Sequence, residues 1–90
     1  MAEQRHPLRA MLDIRSKGRL CGIPSYCTGN ELVLEMLVQR AKQTNTPVLI
    51  EATANQCNQF GGYTGMKPAD FYKKVWDIAE KSGLPESHLI

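Results

Sequence analysis

The sequence TPVLIEATANQCNQFGGYTGMKPADF, residues 46–71, contains the transitions that decide the fold. After Thr46-Pro47 interrupts the chain, Val48-Leu49-Ile50 is a short apolar run, typical of a strand buried on both faces of a parallel sheet. A segment rich in amides and glycines follows at residues 53–66. Pro68 then favours the first turn of a new helix. This stretch therefore predicts a strand, a long loop and a helix, in that order.

The upstream sequence has the same alternation. A helix is predicted over residues 7–17, between Pro7 and the helix-ending Gly18. The apolar segment Leu20-Cys21-Gly22-Ile23 stops at Pro24 and predicts a short buried strand over residues 20–24. Residues 28–31, Thr-Gly-Asn-Glu, have the spacing of a capping box, and the apolar residues that follow predict a helix over residues 31–43.

Downstream, the helix that begins at Pro68 is predicted to end at residue 82, because Gly83 follows. Leu89-Ile90 then begins another apolar segment. Helix, strand, helix, strand, helix and incipient strand predict βαβ units on a parallel sheet, with strands 20–24 and 48–52 adjacent and the helices over 31–43 and 68–82 on one face. Two strands and part of a third make a poor sheet alone. We therefore expect residues 1–90 to be a single incomplete α/β domain.

Composition and charge exclude several classes of protein. Eleven basic and nine acidic residues are spread along the 90-residue chain without a Lys/Arg block, which disfavours nucleic-acid binding. No apolar run approaches the roughly 18 residues of a membrane span, and the N-terminus lacks a signal-peptide pattern. Three cysteines at spacings that match no zinc pattern are predicted to be reduced thiols, so we expect a cytoplasmic protein with no metal site in this chain.

Polar residues are concentrated after the second strand, where ligands bind in parallel α/β folds. A loop this long is more often functional than a short one, and side-chain amides suit a hydroxyl-rich ligand such as a sugar phosphate. The alternative is that the amides tie an irregular loop to itself, and that Glu51 pairs structurally with a basic residue elsewhere. The candidate substrate-binding residues are Ser25, Glu51, Asn55, Gln56, Asn58, Gln59, Tyr63 and Thr64, of which we expect Ser25, Glu51, Asn55 and Gln56 to converge at one end of the strands.

Other residues of these loops are predicted to be structural. The glycines of residues 61–65 fit a sharp backbone turn better than a phosphate cradle, because the P-loop ending is missing. Cys27 and Cys57 lack a nearby base, so all three cysteines are predicted to pack rather than react.

Two segments carry a resemblance to a known family. The run IEATANQCNQFGGYTGMKPADF (residues 50–71) and the run GIPSYCTGNELVLE (residues 22–35) closely resemble bacterial tagatose-bisphosphate aldolase subunits of the large, non-catalytic type, many of which carried the label tagatose-6-phosphate kinase. The resemblance extends over nearly all of the chain from Gly18 onward. Lys67 departs from it, because a Ser or Thr helix cap is usual there, and losing that cap costs roughly 1 kcal/mol.

The resemblance implies a fold, namely an eight-stranded (β/α)8 TIM-type barrel related to class II aldolases. Such barrels contain about 250 residues. The present chain would supply the N-terminal helix, the first two βα units and the start of the third strand. The family's most plausible catalytic segment would follow Ile90. We therefore expect a truncated chain that is inactive alone, and its catalytic residues stay unknown.

The resemblance also implies a function. Such a subunit supports the activity and stability of a zinc-bearing catalytic aldolase subunit in galactitol, N-acetylgalactosamine or tagatose catabolism. Zinc is then expected in the partner and no cofactor in this chain, with a phosphorylated sugar as ligand and a homo-oligomer as a further expectation. The alternative is a sugar-phosphate enzyme in its own right: an aldolase, an epimerase or a tagatose-6-phosphate kinase. The absence of a nucleotide-binding loop counts against the kinase.

Overall fold

The computed structural model describes residues 6–90 and has an α/β architecture, as predicted. Residues 1–5, part of the N-terminus for which no signal peptide was predicted, lie outside the described residues. Each helix range differs from its prediction by at most one residue. The elements in chain order are helix α1 (Pro7–Ser16), strand β1 (Ser25–Cys27), helix α2 (Glu31–Thr44), strand β2 (Leu49–Glu51), helix α3 (Pro68–Ser82) and a 3-10 turn (Glu86–His88).

The strands β1 and β2 are parallel, which confirms their predicted orientation, and Tyr26 lies opposite Ile50. The other edge of β2 is also occupied. Val48 forms a parallel bridge with Leu89, and the Ile90 amide donates to the Val48 carbonyl at 3.0 Å. The Ile50 amide donates to the Ile90 carbonyl at 2.9 Å, so β2 lies between β1 and the bridging residues 89–90; that these residues begin a third strand stays a prediction.

The predicted position of the first strand, residues 20–24, is wrong, because the strand lies at Ser25–Cys27. Leu20 is 98% exposed, and the Cys21 carbonyl accepts a hydrogen bond from the Arg15 guanidinium of α1 at 3.1 Å. The apolar residues of this segment therefore lie beside α1 and not in the sheet. Pro24 begins the ladder and does not end the strand: it has no N–H to donate, but its carbonyl accepts from the Leu49 amide at 3.0 Å.

The core lies between the sheet and the pair α2 and α3, which confirms that these helices pack on one face. Val48 is 1% exposed and contacts the buried faces of both helices, and Ile50 packs against the same cluster. Each fully buried side chain of this size stabilises the fold by about 1.5–3 kcal/mol. The buried residues are Leu34, Val38, Ala41, Val48, Val75, Ile78, Ala79, Leu84 and Leu89.

The helix ends explain why the predicted bounds were nearly right. Both α2 and α3 end at a left-handed residue, Asn45 at φ 52° and Gly83 at φ 78°. The predicted capping box at Thr28 is wrong, because Asn30 is the N-cap of α2 and its side chain accepts from the Val33 amide at 3.2 Å. Thr28 instead accepts from the Asn30 amide at 3.1 Å, which orients the cap. No helix among residues 6–90 is long and apolar enough to cross a membrane.

Candidate functional site

Strand alternation places one polar face of the sheet away from the helices. Val48 and Ile50 point into the core, so Leu49 and Glu51 point to the opposite side, together with their partners Ser25 and Cys27. We call the side of the sheet formed by Ser25, Cys27, Leu49 and Glu51 the open face. Glu51 and Cys27 are paired at its carboxyl end, and both are exposed.

Ser25 does not lie at its predicted position. It was expected in a loop that follows the first strand, but it is the first residue of β1 and lies opposite Leu49. Because β1 is three residues long, Ser25 is at the amino end of the open face and Glu51 is at the carboxyl end. Ser25 and Glu51 therefore share one face and lie two residues apart along the ladder, and their convergence in one site stays a prediction. The loop position expected for Ser25 is wrong because β1 begins at Ser25.

Gln56 connects the loop after β2 to the carboxyl end of β1. Residues 52–67, which join β2 to α3, are called the strand-end loop. The side-chain oxygen of Gln56 accepts from the Cys27 thiol at 3.2 Å and from the Thr53 amide at 2.8 Å. The Thr53 hydroxyl accepts from the Gln56 amide at 3.2 Å. Gln56 thus holds the base of the loop against β1.

Asn58 and Thr64 also form hydrogen bonds within the strand-end loop. The Asn58 side chain donates to the Ala54 carbonyl at 2.6 Å and accepts from the Phe60 amide at 2.8 Å. The Thr64 hydroxyl donates to the Gln56 carbonyl at 2.5 Å. For Gln56, Asn58 and Thr64 the structure supports the alternative that polar side chains tie the loop to itself.

Gly62 lies where the loop backbone folds back on itself. A Cβ atom at Gly62 would lie 2.7 Å from the carbonyl oxygens of Asn55 and Gln56, and φ is +64°. Only glycine combines that conformation with that close approach. This agrees with the expected backbone turn. A phosphate cradle is not supported, since the Asp70 carboxylate already accepts from the Lys67 amide at 3.0 Å at the start of α3, partly replacing the missing Ser or Thr cap.

Four candidate residues keep their side chains free and exposed. Within residues 6–90, Glu51, Asn55, Gln59 and Tyr63 form no side-chain hydrogen bond, and Tyr63 is 74% exposed. Glu51 also lines an otherwise apolar cavity of about 420 Å³ beside α3. The structure thus leaves this carboxylate, at the end of β2, and two amides and a phenol of the strand-end loop without hydrogen-bond partners among the described residues.

Sequence reasoning missed two residues, Cys27 and Phe60. Cys27 was predicted to pack, which is wrong, because it is exposed beside Glu51; Cys21 and Cys57 are half-buried. Because the first strand was predicted at residues 20–24, Cys27 was expected in a loop and not in the sheet. Phe60, in the strand-end loop, is 88% exposed. The sequence could have indicated it, because it is an aromatic residue within a polar segment.

The remaining cavities and the metal-ligand residues do not enlarge this site. Three further cavities lie between α2 and α3, along α3 and the segment that follows it, and beneath α1. Asn55, Gln59, Phe60 and Tyr63 line none of the four cavities. In the described part of the chain, no group of three His, Cys, Asp or Glu side chains is placed to hold a metal ion.

The chain is similar in sequence to known D-tagatose-1,6-bisphosphate aldolase subunits. A family model described as "D-tagatose-1,6-bisphosphate aldolase subunit GatZ/KbaZ-like" matches residues 8–90. Proteins named D-tagatose-1,6-bisphosphate aldolase subunit GatZ are 45% identical over 83 residues in Salmonella newport and in Klebsiella pneumoniae, covering 92% of this chain and 20% of each relative. The one from Salmonella paratyphi B is 52% identical over 73 residues, covering 81% of this chain and 17% of the relative.

A solved structure is also similar. The crystal structure of a probable tagatose 6 phosphate kinase from Sinorhizobium meliloti 1021 has a TM-score of 0.70 and 48% sequence identity. The match covers 78% of this chain and 18% of that one. The present chain therefore spans about a fifth of the length of the relatives that it matches.

Proposed function

The chain belongs to the GatZ/KbaZ-like family of D-tagatose-1,6-bisphosphate aldolase subunits, and on that premise we propose that it is part of a supporting aldolase subunit. Such a subunit would bind a separate zinc-bearing catalytic subunit in the cytoplasm and raise its activity and stability in galactitol, N-acetylgalactosamine or tagatose catabolism. The observation that carries this proposal is the family match over residues 8–90, to proteins named as subunits.

The parent fold that we propose is a (β/α)8 barrel related to class II aldolases. The parallel order of β1, β2 and residues 89–90, with α2 and α3 on one face, is consistent with successive βα units of such a barrel. In that fold the open face would line the barrel interior, and the carboxyl ends of the strands would carry the ligand site.

The ligand that we propose for this end of the sheet is a phosphorylated sugar. Glu51, Asn55, Gln59 and Tyr63 present free oxygen and nitrogen atoms there, which suit the hydroxyl groups of a sugar. In this proposal the zinc belongs to the catalytic partner subunit. Within this chain the role of these side chains is to bind and orient.

Two experiments test these assignments. The protein at its native length is expected to co-purify with the catalytic subunit and to raise its rate of tagatose-bisphosphate cleavage; equal rates with and without it would refute the supporting role. Binding of tagatose bisphosphate, measured by calorimetry, is expected to weaken at least fivefold for Glu51→Gln. The matched control, Glu80→Gln on the exposed side of α3, is expected to leave affinity unchanged. Equal affinities for both variants would remove Glu51 from the site.

A second candidate is a sugar-phosphate enzyme in its own right. The observation that favours it is the similarity to the solved structure of a probable tagatose 6 phosphate kinase. Turnover of a phosphorylated tagatose by the purified protein, without any partner, would support this alternative. Cleavage activity that appears only with the catalytic subunit would reject it.

A further inference from the structure

Two contacts hold the strand-end loop against the end of β1. The Cys27 thiol, at the last residue of β1, donates to the Gln56 side-chain oxygen at 3.2 Å. The Thr64 methyl group lies against the backbone of Gly29, because a Cβ atom added at Gly29 would lie 2.6 Å from that methyl carbon. The loop is therefore attached at Gln56 and at Thr64 to residues that are far from it in the sequence.

Each of these attached residues follows a residue whose side chain is free. Asn55 precedes Gln56 and Tyr63 precedes Thr64, and neither Asn55 nor Tyr63 forms a side-chain hydrogen bond within residues 6–90. The Tyr63 amide donates to the Asn55 carbonyl at 3.0 Å, and the Thr64 amide donates to the Gln56 carbonyl at 3.2 Å. The backbones of Asn55 and Tyr63 therefore lie side by side, and each is held in place by its attached neighbour.

The Gln56 side-chain oxygen also fixes the loop relative to Glu51. Cys27 and Glu51 are register partners in the parallel sheet, so their side chains lie on the same face. The oxygen that accepts from the Cys27 thiol also accepts from the Thr53 amide at 2.8 Å. One atom therefore joins the residue beside Glu51 to the first turn of the strand-end loop.

Side chains that bind a ligand do so most tightly when other side chains, which do not touch the ligand, already hold them in the bound geometry. We propose that Gln56 is such a positioning residue, which holds Asn55 and Tyr63 in place to bind a sugar. Glu51 contacts the same ligand from the end of β2. This role rests on the proposed function, which supplies the sugar phosphate.

Calorimetry with tagatose bisphosphate tests this role in the protein at its native length. Gln56→Met keeps the length of the side chain but removes the acceptor oxygen, and is expected to raise the dissociation constant at least fivefold. The matched control, Gln43→Met, makes the same replacement at an exposed position of α2 and is expected to leave the constant unchanged. Cys27→Ala, which removes only the thiol donor, is expected to weaken binding as well. Cys27→Ser keeps a donor and is expected to restore the affinity, so these two variants decide the matter even if Gln56→Met does not fold.

A double-mutant cycle distinguishes positioning from a general loss of stability. Tyr63→Phe removes only the phenol hydroxyl and is expected to weaken binding when Gln56 is present. In the Gln56→Met background the same change is expected to weaken binding much less, because the ring is already displaced from the ligand. If the two effects multiply in full, Gln56 acts independently of Tyr63 and the positioning role is overturned.

The outcomes separate this role from the proposed function. If Glu51→Gln weakens binding but Gln56→Met and Cys27→Ala do not, the positioning role is overturned and the sugar site remains. If the wild-type protein does not bind the sugar phosphate, both are overturned. A Gln56→Met variant that melts at a lower temperature but binds with wild-type affinity would show that Gln56 only stabilises the loop. Equal weakening by Cys27→Ala and Cys27→Ser would also overturn the role, because the effect would then not depend on the hydrogen bond.

Discussion

Replacing Gly62 by Ala should open the strand-end loop, because the new methyl group would occupy the space of backbone atoms. The added Cβ would lie 2.7 Å from the carbonyl oxygens of Asn55 and Gln56, whereas ordinary contacts begin at 3.4 Å. Those two oxygens accept hydrogen bonds from the Tyr63 and Thr64 amides at 3.0 Å and 3.2 Å. Relieving the overlap therefore displaces the acceptors of two loop hydrogen bonds.

The free-energy cost of Gly62→Ala has two contributions, which a control variant separates. An alanine at φ +64° costs roughly 1–2 kcal/mol in backbone strain, and forcing a methyl group into packed backbone adds about 1–3 kcal/mol. Gly65→Ala carries only the first part, because its φ is +75° and no atom lies within 4 Å of its ideal Cβ. The difference between the variants, about 1–3 kcal/mol, isolates the overlap at Gly62.

Native-state hydrogen exchange at the Tyr63 and Thr64 amides measures this difference, because exchange reports local opening. In Gly62→Ala both amides should exchange about 5 to 150 times faster than in Gly65→Ala, since 1.4 kcal/mol corresponds to a factor of ten. Amides within α1, far from the loop, serve as the internal reference. Equal exchange in the two variants would refute the argument that backbone overlap requires glycine at position 62.

Three further predictions concern the helix cap, the inter-helix ion pair and the thiols. Asn30→Ala should lower the free energy of unfolding by about 1 kcal/mol in a urea titration, because the Val33 amide loses its acceptor; no change would contradict this assignment of the cap. The Lys74–Glu31 ion pair, at 3.0 Å but largely exposed, should show a coupling energy of only about 0.2–1 kcal/mol in a double-mutant cycle, and added salt should lower it. A larger coupling energy that does not change with salt would contradict the argument that solvent screens this pair. Iodoacetamide, followed by mass spectrometry, should modify exposed Cys27 before half-buried Cys57, and the reverse order would contradict their relative accessibility.

The helices and the central strand could be predicted because their signals are local. Pro68 begins α3 and Gly83 follows its end, and both act through backbone constraints that hold in almost any context. Val48-Leu49-Ile50 is apolar enough to require burial wherever it lies. These residues determine their own conformation, so one sequence suffices to place them.

The first strand could not be located from the sequence, because its position depends on the strand with which it pairs. Ser25-Tyr26-Cys27 is exposed throughout and has no burial pattern that would mark it as a strand. It forms a strand because the Leu49 amide donates to the Pro24 carbonyl, and this hydrogen bond sets the register. An apolar run over residues 20–23 gave a stronger local signal, but this segment lies beside α1, where the Cys21 carbonyl accepts from Arg15, and that placement is a tertiary effect.

The sequence predicted the region of the candidate site. It could not predict which polar side chains bind within the loop and which are free. Gln56 and Asn58 look like Asn55 and Gln59 in the sequence, yet the first two bind within the loop and the others face outward. That division follows from the turn geometry around Gly62, which brings particular carbonyls within reach. The role of each candidate as a ligand group stays a prediction.

The central position of β2 has a consequence for the order of events during synthesis. Leu49 pairs with a segment made earlier, whereas Val48 pairs with Leu89, which leaves the ribosome only after all of α3. For that interval one edge of β2 has unpaired backbone groups, and its apolar face awaits the Val75–Ala79 turn of α3. Nascent chains are prone to aggregate through such edges. The speed at which α3 emerges and folds is therefore expected to govern how much of the newly made protein reaches its native state.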